Sequence, residues 1–94
     1  MKVIWDDEKN EKLIQERGIS FQDIAYIIEE ERYTAIIENP SRENQQIFIF
    51  DYNEYTYAVP FVIDDKGDAI LKTIFPSRKY KRHYKKESEK DEES

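Results

Sequence analysis

The side chains best suited to chemistry lie in one segment, Leu71-Lys-Thr-Ile-Phe-Pro-Ser-Arg-Lys-Tyr-Lys-Arg-His-Tyr84. From Lys72 to Lys86 the chain carries Lys72, Arg78, Lys79, Lys81, Arg82, Lys85 and Lys86 and no acid. Clustered cations attract phosphates and release their counterions. The interleaved rings of Tyr80 and Tyr84 add faces on which unpaired bases stack. Single-stranded RNA is the polymer such a surface suits, with Lys81 and Arg82 holding phosphates beside the two tyrosines. If the surface is catalytic, attack of a ribose 2′-OH on its own phosphate fits the inventory. That reaction needs a base, an acid and cations for the developing charge. Arg78 is the natural transition-state cation, and Lys72 or Lys79 a second. Histidine is the side chain type that ordinarily titrates near neutrality, which makes His83 the natural proton carrier. Each residue also has a plainer reading. The segment reads equally as a solvated C-terminal helix, Tyr80 and Tyr84 as residues packing it on a sheet, and His83 as a surface histidine.

A second signature lies at the other end: Trp5-Asp6-Asp7-Glu8-Lys9-Asn10, then Arg17-Gly18-Ile19-Ser20-Phe21. Lys9 and Arg17 are further candidates for binding RNA. Read structurally, Trp5 and Phe21 are core aromatics, Asp6 is a helix cap and Gly18 a helix stop.

Charge distribution favours an anionic partner more than the average suggests. The 94-residue chain has a net charge of −6. Residues 1–65 carry −9, residues 66–86 carry +7, and residues 87–94 carry −4. The mean hides a basic block between acidic flanks. The absence of cysteine excludes disulfides and thiolate metal sites, and one histidine argues against a His-rich one. No metal and no cofactor is therefore expected. The apolar runs are too short to span a membrane and the start has no signal-peptide pattern, so a cytoplasmic protein is expected.

The elements that position these residues follow from periodicity. Lys2–Trp5 reads as a short strand. Asp6 caps a helix from about Asp7 to Arg17, with Asp7 and Glu8 in its favoured first turn and a thin apolar stripe, chiefly Leu13 and Ile14. Gly18 ends it as the residue that takes positive φ. Ser20 caps a second helix, with Asp23 completing a weak capping box. Phe21, Ile24, Ala25, Ile27 and Ile28 recur at helical spacing, and the acids Glu29-Glu30-Glu31 mark its end. The period then becomes two. Strands are expected at Tyr33–Glu38, Gln45–Tyr52 and Tyr55–Ile63, the last two joined by a tight Asn53-Glu54 turn. Pro60 places its strand at an edge or beside a bulge, and the aromatic edge near Tyr55–Ile63 is a candidate for self-association. After a turn at 64–68, a fourth long strand is expected from Ala69 to Phe75. Pro76 stops it and Ser77 caps a short helix through about Lys85. The order β-α-α-β-β-β-β-α describes one α+β domain over 1–86, an antiparallel meander with helices on one side. Residues 87–94 should form a disordered acidic tail. Such a tail could occupy the basic site when no substrate is bound.

Together the two signatures resemble the BrnT family of toxins from bacterial toxin–antitoxin pairs. Its members open with Trp-Asp, a Lys and Asn in the first helix, and a basic residue-Gly-Val/Ile-Ser-Phe. They end in a strand, a small residue-Arg-Lys turn and a basic helix. Here the matching residues are Trp5-Asp6, Lys9-Asn10, Arg17-Gly18-Ile19-Ser20-Phe21 and Pro76-Ser77-Arg78-Lys79. The likeness spans about residues 3–84. It implies a RelE-like fold and endoribonuclease activity. It also implies neutralisation by a ribbon-helix-helix antitoxin, with operator DNA bound only through that complex. Two departures stand out. Arg17 replaces the histidine that many members carry before the glycine, so no histidine role transfers there. An additional strand arginine is also lacking, so Arg78, and then Lys79, transfer directly while Lys72 is a substitute for the strand cation. The competing hypotheses are a non-catalytic module docking an acidic peptide of a partner, and a nucleic-acid binder without cleavage.

Overall fold

In the computed structural model, which describes residues 1–84, six strands form one sheet with helices on both faces. The elements are β1 (Val3–Ile4), α1 (Asp7–Arg17), α2 (Phe21–Glu29), β2 (Ala35–Glu38), β3 (Gln46–Tyr52), β4 (Tyr55–Ile63), β5 (Ala69–Leu71) and β6 (Phe75–Pro76). A last helix, α3, occupies 78–84 within the described residues. The expected tail at 87–94 lies outside them.

The N-terminal signature is a set of helix terminators and starters. The Asp6 carboxylate accepts from the amides of Glu8 and Lys9 at 2.8 and 3.2 Å, covering donors that the first turn of α1 cannot use. Gly18 closes the helix at φ 67°, its amide returning to the Ile14 carbonyl. The box around α2 is complete. Ser20 Oγ accepts from the Asp23 amide, and Asp23 Oδ2 accepts from the Ser20 amide. Asn10 supplies what spacing could not show. It is buried in α1, its Oδ1 takes the amide of Phe21 at 2.8 Å, and its Nδ2 donates to Gln22 Oε1 at 2.7 Å. The start of α2 is thereby tied to the middle of α1, and Trp5 stacks on Phe21 at 5.8 Å. Ile14, expected in the apolar stripe, is 43% exposed; Leu13 and Asn10 are the buried residues of that helix.

Strand alternation divides the core in two. Phe48, Phe50, Val59 and Phe61 face α1 and α2 and pack with Phe21, Ile24 and Ile28, the Phe48 and Phe61 rings stacking at 4.0 Å. Side chains one position on point the other way. Ile47, Ile49 and Ala58 form a second cluster, covered by Phe75, Tyr80 and Tyr84. Fully burying a large apolar side chain stabilises by about 1.5–3 kcal/mol, so both layers hold the sheet. Helices on one side only is therefore corrected: α3 covers the face opposite α1 and α2.

The sheet order is β1-β5-β4-β3-β2, with β6 also on β4. All neighbours are antiparallel except β1 and β5, so the sheet is mixed. β4 lies inside it, flanked by β3 on one side and by β5 and β6 on the other. The self-association edge expected there does not exist; β1, β2 and the short β6 are the edges.

The expected long strand from Ala69 to Phe75 is broken. Phe61 pairs with Leu71 and Ala58 with Phe75, so Val59 and Pro60 oppose three residues, 72–74. One residue is extra, which defines a bulge. Pro60 explains its place. Its carbonyl accepts from the Lys72 amide at 2.8 Å, so its nitrogen faces the same neighbour and has no hydrogen to donate. The freed backbone is braced from across the molecule, where Arg17 Nη1 donates to the Ile74 carbonyl at 3.1 Å. Pairing resumes and includes Pro76 itself, opposite Tyr57, before the Ser77 amide bonds to the Thr56 carbonyl.

Candidate nucleic-acid interface

The helical period sorts the side chains of α3 into three stripes, one aromatic and two basic. Tyr80 and Tyr84, four apart, lie half-buried against the sheet cluster of Ile47, Ile49 and Ala58. The packing reading of these tyrosines therefore holds, and their exposed parts line recesses on the flank. Lys79, Arg82 and His83 share one flank, in a recess of about 670 Å³ with Ile37 and the two tyrosines. Arg78 and Lys81 share the other, in a recess of about 540 Å³ with Tyr55, Thr56, Pro76 and Ser77. Ser77 starts the helix as expected, its Oγ accepting from the Tyr80 amide at 3.2 Å.

A concavity of about 690 Å³ runs between α3 and the loop after β2. Its floor is Ile47, Pro60 and Phe75, and its cations are Lys9, Arg42, Lys72 and Lys79, with no acidic residue in its lining. Each cation arrives on a different support. Lys72 projects from the bulge opposite Pro60, Lys9 from α1, and Lys79 from the first turn of α3, where its ammonium lies 5.6 Å from the Tyr80 ring centre. Arg42 rides on the loop 39–45. That loop is closed by the Asn39 amide on the Gln45 carbonyl at 3.0 Å and turned by Asn39 Oδ1, which accepts from the Ser41 amide. Lys9, Lys72 and Thr73 continue into a neighbouring recess of about 290 Å³ lined also by Lys12, Arg17 and Glu16. Among the described residues the ion pair found is Arg32–Glu30, far along the chain from this track. In the groove itself the like charges have no acid between them and so concentrate positive potential, which attracts a polyanion.

Of the ten residues singled out in the sequence, Lys72, Lys79, Lys9 and Tyr80 meet in the groove. Arg82, His83 and Tyr84 lie in the recess that shares Lys79 and Tyr80 with it. Arg17 reaches the track through the Lys72 recess while bracing the bulge. Arg78 and Lys81 do not join them; they sit across α3. The His83 ring meets Tyr84 edge-on at 4.9 Å. Arg42 was not singled out, because a lone arginine in an acidic stretch gives no local signal; only the fold of its loop brings it here. Tyr55 was likewise read as a strand residue, yet it is 58% exposed beside Lys81.

Neither a protein-family model nor a curated protein sequence matches the chain. Among solved structures, it is similar to the ribonuclease toxin BrnT of Brucella abortus, at 21% sequence identity and a TM-score of 0.63. The match covers 84% of this chain and 99% of the other. With the likeness spanning most of both chains, the chain has the fold of the BrnT toxin.

Proposed function

We propose that the protein is the toxin of a toxin–antitoxin pair, an endoribonuclease that cleaves RNA at the basic groove. The observation that carries this reading is the groove itself, four cations from four separate elements around an apolar floor without an acid. RNA runs along it with phosphates on Lys9, Arg42, Lys72 and Lys79. At the scissile position the 2′-oxygen attacks phosphorus and the bond to the 5′-oxygen breaks, leaving a cyclic phosphate and a 5′-hydroxyl. A base takes the 2′-hydroxyl proton and an acid delivers one to the leaving oxygen. Lys72 and Lys79 stabilise the added negative charge. His83, in the recess that shares Lys79, is the proton carrier, and Arg82 holds the adjoining phosphate. The groove needs no cofactor to supply these roles.

The partner in this reading is a ribbon-helix-helix antitoxin that covers the basic surface, with operator DNA engaged only through their complex. Among the described residues no helix is long and apolar enough to cross a membrane; the RNA acted on in this reading is cytoplasmic.

Expression of the chain alone should arrest growth, and Lys72→Ala with Lys79→Ala should relieve the arrest while the protein stays folded. Cleaved RNA should end in a 2′,3′-cyclic phosphate. Intact RNA in a translating extract supplied with wild-type protein would refute the enzyme. Should Arg78→Ala relieve the arrest while the two lysine variants do not, the reacting phosphate lies across α3 instead.

A further inference from the structure

The geometry points to a second nucleotide subsite on the far side of α3, built by Tyr55, Arg78 and Lys81, that grips a flanking nucleotide of the same RNA strand. It rests on the reading of the groove as an RNA site and extends that reading to residues the groove does not use.

Tyr55 carries the inference. It is the first residue of β4, following a turn whose two central residues, Asn53 and Glu54, both have positive φ (49° and 70°). Such a turn holds the hairpin end close and well defined. The residue is 58% exposed, although two neighbours restrain it. Tyr57 lies 6.3 Å away, tilted by 58°, and the Lys81 ammonium is 5.9 Å from the Tyr55 ring centre. Lys81 is placed there by its bond to the Glu54 carbonyl at 3.2 Å. An exposed tyrosine has no packing reason to be held in this way. A restrained and largely exposed aromatic ring is, however, a stacking platform whose ordering cost has been met before a base arrives.

The surroundings identify the ligand class. The recess is lined by two cations, a serine and a threonine, and by no acid. Thr56 is buried, and its hydroxyl is committed to Asp51 at 2.7 Å, so it forms wall rather than contact. Arg78 is exposed and presents a planar fork suited to a phosphate. A ring and a guanidinium lining one recess match a base and its phosphate, the repeating unit of single-stranded RNA. Because Arg78 and Lys79 are adjacent on α3, a strand crossing the helix start passes from the groove directly onto this recess. The two flanks of α3 then act on one polymer, and the flanking contact fixes which phosphate lies over Lys72.

Binding of 2′-O-methyl oligoribonucleotides, which cannot undergo attack by a 2′-hydroxyl, separates the two sites. For the wild type, affinity should rise in two steps with oligonucleotide length. In Tyr55→Ala the second step should vanish, a loss of roughly 5- to 100-fold for the longer probes, while the shortest bind unchanged. Tyr55→Phe, which keeps the ring, should bind like the wild type, and Arg78→Ala should lose the same step as Tyr55→Ala. Thermal melts of each variant establish that it is folded. Wild-type affinity in Tyr55→Ala, alongside weakened binding in Lys72→Ala, would overturn the subsite and leave the groove standing. Equal losses in Tyr55→Phe and Tyr55→Ala would overturn stacking. Failure of the wild type to bind any probe would overturn both sites.

Discussion

Replacing Asn10 by alanine isolates the tie between the first two helices. Two bonds are lost, and they are not equivalent. Gln22 is exposed, so its amide oxygen returns to water at little cost. The Phe21 amide has no such exit. It is at the first position of α2, where no helical acceptor exists, and its side chain is fully buried. An unsatisfied buried donor costs about 1–3 kcal/mol, a figure that already includes the lost bond. The expected destabilisation is therefore about 1–3 kcal/mol, which for a chain of this size lowers the melting temperature on the order of 5–20 °C. Asn10→Asp keeps an acceptor for Phe21 and should lose much less, while Gln22→Ala should cost under about 0.5 kcal/mol. Far-UV circular dichroism melts and urea titrations of the three variants supply the ranking. If Asn10→Ala melts with Gln22→Ala, within about 2 °C, the Phe21 amide is not held by Asn10 and the account of the motif as a tie fails.

Three further perturbations probe separate features. Glu31 follows α2 at φ 57°, where a side chain costs about 1–2 kcal/mol. Glycine there recovers part of this and loses some to chain entropy, so Glu31→Gly should stabilise by up to about 1 kcal/mol in urea titrations, whereas Glu31→Ala, which keeps the strain, should not match it. Arg17→Ala should cost about 1 kcal/mol and selectively raise amide exchange over 72–74, since the Ile74 carbonyl loses its brace; unchanged exchange there would remove the bracing role. Burial, with the Asp23 carboxylate as a smaller cause, raises Tyr52 above the ordinary value of 10.0. The folded state thus holds that proton more tightly, so its share of stability is intact below about pH 10 and declines as pH rises beyond. Tyr52→Phe should flatten the alkaline limb of a stability profile, and a profile identical to wild type would count against it.

Much of this fold was legible because its punctuation is local. Asp6, Gly18, Ser20 and Asp23 act within four residues of their partners, and the acids after Ile28 end α2 where dipole arguments put the end. What escaped depends on contacts distant in sequence. Nothing near Asn10 indicates that its partner is Phe21, and a helical asparagine reads as solvated until the two helices meet. Pro60 did signal a bulge, but not that the bulge would split the neighbouring strand rather than its own. The interface was legible in composition and less so in grouping. Seven cations within fifteen residues point to an anion, yet adjacent helix positions diverge by about 100°. That alone sends Arg78 away from Lys79, and the spacing of Lys79 to Arg82 and of Arg78 to Lys81 already contains the division. Arg42 and Lys9 join only because a loop and a helix from the acidic half of the chain fold over the sheet.

The extra residue at 72–74 acts as a phase shift along a strand whose side chains otherwise alternate: Ile74 stays with Leu71 in the α1–α2 layer and Phe75 turns to the α3 layer. Removing Thr73 would let the strand pair continuously with β4, with Phe75 still opposite Ala58 and Ile74 falling opposite Val59, so both packing layers would keep their members. What such a deletion removes is the protruding backbone that sets Lys72 at the groove. Chain length at this point therefore tunes the groove separately from the fold: the shortened protein should still fold, with the groove altered.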